Sequence, residues 1–252
     1  MSITLYDIPA AVPGKTLSPN VFKTRLALAY KGLSFKTEWL ELSEIETKMR
    51  EIGADPTSTW EDGRPLYTLP VIRDHTTGRI VSDSTKIAFY LDDVYPDRPP
   101  LFPFHARAPI MMVNEFFAPT AMLPGGDMFS HGAFKRFAPP SIEYIRRTRG
   151  EEFLTRVRSF SAEEQERRWP AVREGFSKVA KMLDANGNGE DKIFFYGDKP
   201  SFADFIVIGY LHYIEVSLGA ESVEWKEVQE WDGGRWAKML RFSEKLKVLG
   251  EE

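Results

Sequence analysis

Hydrophobic and polar positions alternate at the start of the chain and then change period. Residues 3–8 predict a strand. A loop with Pro9, Pro13 and Gly14 follows. Ser18-Pro19 predicts a helix start, with the serine as cap and the proline in the first turn. Val21, Phe22, Leu26, Ala29 and Tyr30 give that helix one apolar face, and Gly32 stops it. Residues 35–42 predict a second strand, and residues 44–52 a polar surface helix. Residues 53–64 form a loop rich in Asp, Thr, Gly and Pro. Residues 67–72 predict a strand carrying Pro70, which points to a sheet edge or a turn. A tight turn at 74–78 and a returning strand at 79–81 come next. Ser82, Asp83 and Ser84 then open a helix with Ile87, Tyr90, Leu91 and Val94 on its apolar face.

Pro96, Pro99, Pro100 and Pro103 end this pattern. They mark a domain boundary, giving an α/β domain at 1–95, a linker at 96–103 and a second domain at 104–252. Every later segment predicts helix or loop. Residues 106–123 are apolar and rich in Met and Phe. Residues 139–160 and 162–186 are long, charged and amphipathic. Residues 201–218 are apolar nearly all round, as a helix in the middle of a bundle is. Ser201 and Asp204 have capping-box spacing, with Asp in place of Glu. An amphipathic helix over 225–249 closes the chain. The fold class is therefore α/β, in the order β-α-β-α-β-β-α, followed by an all-α bundle.

Charge and composition narrow the chemistry. A formal net charge of −4 argues against a general nucleic-acid binder. Arg146, Arg147 and Arg149 fit a solvated helix face. The chain has no cysteine, which excludes disulfides, thiolate metal sites and a catalytic thiol of its own. His75, His105, His131 and His212 are too scattered for metal-ligand spacing, so no metal is expected. No apolar run approaches the ~20 residues of a membrane span, and the first residues carry no secretory pattern. A cytoplasmic protein without membrane contact is expected.

Four features stand in one order: Ser18-Pro19 at the first helix, Leu69-Pro70 before a hairpin, Asp83-Ser84 opening the next helix, and the Ser201-x-x-Asp204 box. In this layout the chain resembles the soluble glutathione transferase family over essentially its whole length. The run Leu5-Tyr6-Asp7-Ile8 through Ser18-Pro19-Asn20-Val21-Phe22-Lys23 is most similar to fungal members related to bacterial β-etherases. The resemblance implies a thioredoxin-like first domain that binds glutathione as co-substrate, a helical second domain, and a homodimer. It implies that Asp83 and Ser84 hold the γ-glutamyl end. A helix N-terminus suits a carboxylate, and Asp83 can pair with an ammonium. It implies a cis Leu69–Pro70 bond, with the Leu69 backbone pairing the cysteinyl backbone as an added strand would. Trans is otherwise the default for an X–Pro bond.

The same resemblance implies a group that stabilises the bound thiolate. Ser18 is the leading catalytic candidate, with Tyr6, Thr16 and Asn20 as alternatives. Lowering a thiol pKa from ~8.5 to ~6.5 requires about 2.7 kcal/mol. A hydrogen bond to a charged acceptor supplies ~1.5–3 kcal/mol, and a helix N-terminus adds ~0.3–1 kcal/mol. One hydroxyl at a helix start therefore suffices. Phe116, Phe117, Met122, Met128 and Phe129 are candidates for a hydrophobic ligand site between the domains. Trp60, Asp62 and Arg64, in a loop over 53–67 that is long for the family, are unassigned. Ser201 and Asp204 read as structural. The expected activity is attack of glutathione thiolate on hydrophobic electrophilic or ether-bearing aromatic compounds, a detoxification chemistry. The alternative is a ligandin-type carrier of aromatic molecules, and a third reading is a scaffold that has lost the peptide contacts.

Overall fold

A computed structural model describes residues 2–187, 192–246 and 248. Its first half is built on a four-stranded sheet. β1 (Ile3–Asp7) pairs parallel with β2 (Phe35–Trp39) through α1 (Pro19–Tyr30). After α2 (Ile45–Ile52), residues expected to be plain loop carry a small antiparallel hairpin, β3 (Ser58–Thr59) with β4 (Pro65–Leu66). β5 (Val71–Asp74) and β6 (Ile80–Ser82) complete the sheet in the order β2-β1-β5-β6. Then α3 (Ser84–Val94) begins. The proline strand is thus not an edge strand. β5 lies between β1 and β6, and Pro70 precedes it, where no ladder N–H is needed.

α1 departs from the expected one-sided helix. Val21 to Leu28 are buried without interruption, because α1 lies between the sheet domain and the helical domain. Burying it all round brings charge inside. Arg25 and Asp7 form a fully buried ion pair at 3.0 Å, and Arg25 also donates to Thr37 Oγ1 at 2.9 Å.

The helical half comprises α4 (Arg107–Phe117), α5 (Gly126–Phe134), α6 (Pro139–Arg149), α7 (Glu151–Arg158), α8 (Ala162–Leu183), α9 (Phe202–Leu218) and α10 (Val223–Glu244). Four sequence expectations are corrected here. The helix expected over 106–123 ends at Phe117 and passes into a π-helical turn, Ala118–Met122, since Pro119 cannot donate into a regular helix. α5 was not anticipated. The helix expected over 139–160 divides at Gly150, whose φ of 86° L side chains rarely adopt. The last helix is broken at 231–234, where Asp232, Gly233 and Gly234 have positive φ; its expected extension through 247 and 249 lies outside the described residues.

The two halves share one apolar core. The linker is fastened to it by Asp92, which pairs with the buried Lys31 ammonium at 2.7 Å. Asp92 also accepts the Leu101 and Phe102 amides. The Leu101 carbonyl in turn accepts the Phe202 N–H, at the start of α9, at 2.8 Å. Among the described residues no helix is long and apolar enough to cross a membrane.

α9 meets α1 through His212, which stacks on Phe22 at 3.9 Å and 12°. Its Nε2 lies 3.2 Å from the Thr16 carbonyl oxygen, so that nitrogen carries the proton of the neutral ring. Burial pushes the His212 pKa down to about 4. The unfolded chain therefore takes up this proton first, near pH ~6.5. Stability from the neutral ring is complete above that pH and is lost as pH falls through about 4, by up to about 3 kcal/mol. Urea unfolding of His212→Phe at several pH values should show a flatter acid limb than the parent. Parallel profiles would refute this account.

Candidate functional site

The loop before β5 and the start of α3 form one structural unit. The Leu69–Pro70 peptide bond is cis, and the Pro70 carbonyl accepts the Asp83 N–H at 3.1 Å. Asp83 caps α3. Its Oδ1 accepts the Thr85 and Lys86 amides, both at 3.0 Å. Its backbone sits at φ 83°, a costly conformation for a side chain other than glycine's, of the kind that collects at ligand sites. The Asp83 Oδ2, the Ser84 N–H and the backbone N–H and C=O of Leu69 have no partner among the described residues.

These groups face a cavity of about 320 Å³, at the lower end of the ~300–1,000 Å³ usual for small-molecule sites. Leu69, Pro70, Asp83 and Ser84 line it together, joined by Thr68, Asn20 and Lys23. Asn114, Glu115, Ala118, Pro119 and Tyr210 close it from the helical half. An unpaired backbone edge, a helix N-terminus and a free carboxylate oxygen in one cavity suit a zwitterionic peptide.

The four thiolate candidates are placed differently. Ser18 is the N-cap of α1, and its Oγ accepts the Val21 N–H at a long 3.4 Å. It is half-buried and does not line the cavity. Tyr6 is buried in β1, and burial raises its phenol pKa. Thr16 is fully buried. Asn20 is exposed and on the cavity wall.

A second, apolar cavity of about 370 Å³ adjoins the first, with Ala118, Pro119 and Tyr210 common to both. Met122 and Phe129 line it with Leu123 and Tyr213. Phe116 and Phe117 do not. Phe117 packs into the core against Phe176 and Tyr210, both at 5.6 Å between ring centroids, and Phe116 is part-exposed away from the cavity. Phe116 and Phe117 are neighbours in α4 and point about 100° apart around its axis, so they do not share a face of it; both precede the π-helical turn that carries Met122 to the cavity wall. Single-turn π segments recur at functional sites. Trp60, Asp62 and Arg64 line a different cleft, between the hairpin and α6–α7, where Arg149 lies over the Trp60 ring at 5.7 Å.

Sequence reasoning missed Lys23, Asn114, Glu115 and Tyr210. Lys23 alone left a trace, as a lysine directly between the apolar positions 22 and 26 of α1.

Known proteins match this chain along its length. The family described as glutathione S-transferase, N-terminal domain, matches residues 17–94. The family described as glutathione S-transferase, C-terminal domain, matches residues 109–246. The crystal structure of the glutathione S-transferase CsGST63524 of Ceriporiopsis subvermispora, in complex with glutathione, is 40% identical, with 100% of both chains covered and a TM-score of 0.92. That of glutathione transferase GSTFuA3 from Phanerochaete chrysosporium is 36% identical, covering 100% of this chain and 98% of that one, with a TM-score of 0.89. The glutathione S-transferase-like protein ustS of Aspergillus flavus is 29% identical over 98% of this chain and 92% of its own.

Proposed function

The chain belongs to the glutathione transferase family, and we propose that it binds glutathione in the 320 Å³ cavity and presents the ionised thiol to a hydrophobic aromatic electrophile in the apolar cavity beside it. The observation that carries this reading is the convergence of the unpaired Leu69 backbone, Asp83 and Ser84 on one cavity that shares a wall with an apolar one. Leu69 pairs the cysteinyl backbone. The Ser84 amide and hydroxyl take the γ-glutamyl carboxylate, and Asp83 Oδ2 takes its ammonium. The sulfur then lies toward the N-terminus of α1. There the helix N-terminus and the polar side chains of the Ser18–Asn20 segment favour the thiolate, with Asn20 the side chain on the cavity wall. The thiol proton leaves to solvent. The thiolate forms a carbon–sulfur bond to the acceptor, and the leaving group, an ether oxygen included, departs with its electron pair. Positioning and electrostatics supply the catalysis.

The test combines calorimetric titration of glutathione with thiolate ultraviolet absorbance across pH. Asp83→Ala should weaken binding about 10- to 100-fold, the loss of one charged hydrogen bond of ~1.5–3 kcal/mol. Asn20→Ala, Ser18→Ala or both should raise the pH at which the bound thiol ionises. If the parent chain does not bind glutathione, the proposal fails. Binding without turnover of any aromatic acceptor would make the protein a carrier.

A further inference from the structure

Lys23 is the one lysine on the wall of the peptide cavity, and it is only 2% exposed. Burying an ammonium is costly unless it is paired, and no carboxylate lies within 4.0 Å of this one among the described residues. Its partners are neutral. Nζ donates to Asn20 Oδ1 at 2.9 Å and to Asn114 Oδ1 at 3.4 Å, and it lies 4.8 Å from the centre of the Tyr210 ring. The backbone packs tightly around its stem. At Gly209 of α9 a Cβ would come within 3.2 Å of Lys23 Cγ and 2.7 Å of the Pro19 carbonyl oxygen, so a glycine there leaves room for the lysine.

An ammonium can only donate hydrogen bonds. The Asn20 carboxamide must therefore turn its oxygen to Lys23, which leaves its –NH2 to face the cavity. We propose that Lys23 is a positioning residue for the glutathione thiolate, fixing the Asn20 amide with its donors toward the sulfur and adding a positive charge behind it. The proposal rests on the glutathione-binding reading given above. Burial pushes the Lys23 pKa down to about 8, with Asp83 acting in the opposite direction. Asp83 from α3, Glu115 from α4 and the Tyr210 hydroxyl from α9 are the other titratable groups on this cavity. The positive charge is thus largest at and below neutral pH, where a free thiol is least ionised.

The test uses Lys23→Met, which removes charge and hydrogen bond, and Lys23→Gln, which removes the charge but keeps a neutral N–H donor, one bond further from Asn20. Each is measured by calorimetry with glutathione and with S-methylglutathione, which has no thiol, and by thiolate absorbance across pH. A folding defect would show in thermal unfolding, and neither variant needs to lose stability, because removing a buried charge relieves its desolvation. Lys23→Met should raise the ionisation pH of bound glutathione by about 1, a roughly tenfold loss of thiolate at fixed pH. Its affinity for S-methylglutathione should stay within about twofold of the parent's, a change of ~0.4 kcal/mol. Lys23→Gln should fall between the two. Unchanged thiol ionisation in Lys23→Met, with glutathione still bound, overturns this inference alone. Equal loss of both ligands also overturns it, by assigning the ammonium to a peptide carboxylate. No glutathione binding by the parent overturns the function and this inference together.

Discussion

Gly132→Ala is expected to destabilise the protein by about 3 kcal/mol or more, although alanine is the better helix former. Gly132 lies in α5, and helix propensity alone predicts a gain of about 1 kcal/mol. The tertiary contact reverses the sign. A Cβ at Gly132 would stand 1.9 Å from the Ser217 carbonyl oxygen and 2.6 Å from its carbon. Those are backbone atoms of α9, with no rotamer to move aside. α5 would have to shift off α9, and overpacking of this kind costs ~1–3 kcal/mol or more. Gly126, at the start of the same helix, is the control. It has helical backbone angles, and a Cβ there would meet nothing within 4 Å. Gly126→Ala should stabilise by about 0.5–1 kcal/mol. Chemical unfolding of the two variants gives opposite signs if the α5–α9 approach is as close as described. Two values of the same sign would contradict it.

Asp204→Ala is the second large effect, at about 3–5 kcal/mol. Asp204 is fully buried. Its Oδ2 accepts the Ser201 N–H at 2.8 Å and the Ser201 hydroxyl at 2.9 Å, and its Oδ1 accepts the Phe195 N–H at 2.9 Å. Truncation leaves the buried Ser201 N–H and the part-buried Phe195 N–H unsatisfied, at up to ~1–3 kcal/mol each, and removes the cap of the central helix. Asp204→Asn keeps one oxygen and should lose less. Burial pushes the Asp204 pKa up to about 7, and this sets a second readout. A carboxyl whose folded pKa is raised contributes most below its unfolded pKa of ~4, and that contribution is lost as pH rises through the folded value. The deficit of Asp204→Asn relative to the parent should therefore be larger at pH 5 than at pH 8. A constant deficit would mean that the carboxyl does not titrate between the two.

The central helix and its cap were legible because a nearly all-apolar run and an S-x-x-D box are local signals. So were β1, α1 and the opening of α3, each announced by period or cap. The sheet order was not legible. Pro70 left a sheet edge or a turn open, and it lies in the bend before β5, which is an internal strand; strand neighbours are chosen by packing and not by the strand's own residues. The breaks at Pro119 and Gly150 were written in the sequence but outweighed by the helical period around them.

The candidate site divides along the same line. Asp83-Ser84 and Leu69-Pro70 sit at chain positions that the sequence itself marks, a helix cap and an X–Pro bond, while their expected part in holding a peptide came from the family resemblance and not from the marks themselves. Ser18 carried the same kind of mark, but its hydroxyl turns to its own helix. Whether a capping residue also meets a cavity depends on what packs around it. Lys23 shows the reverse. Nothing in its neighbours along the chain predicts a buried ammonium; Asn114, Tyr210 and the room left at Gly209 are ninety or more positions away. The sequence by itself determined β1, α1, α3 and the central helix, the order of an α/β half before a helical half, the absence of any cysteine chemistry and the capping residues of α1, α3 and α9. Only the tertiary structure decided which side chains share the cavity and how closely the helices approach, because those depend on long-range packing that residue periodicity does not encode.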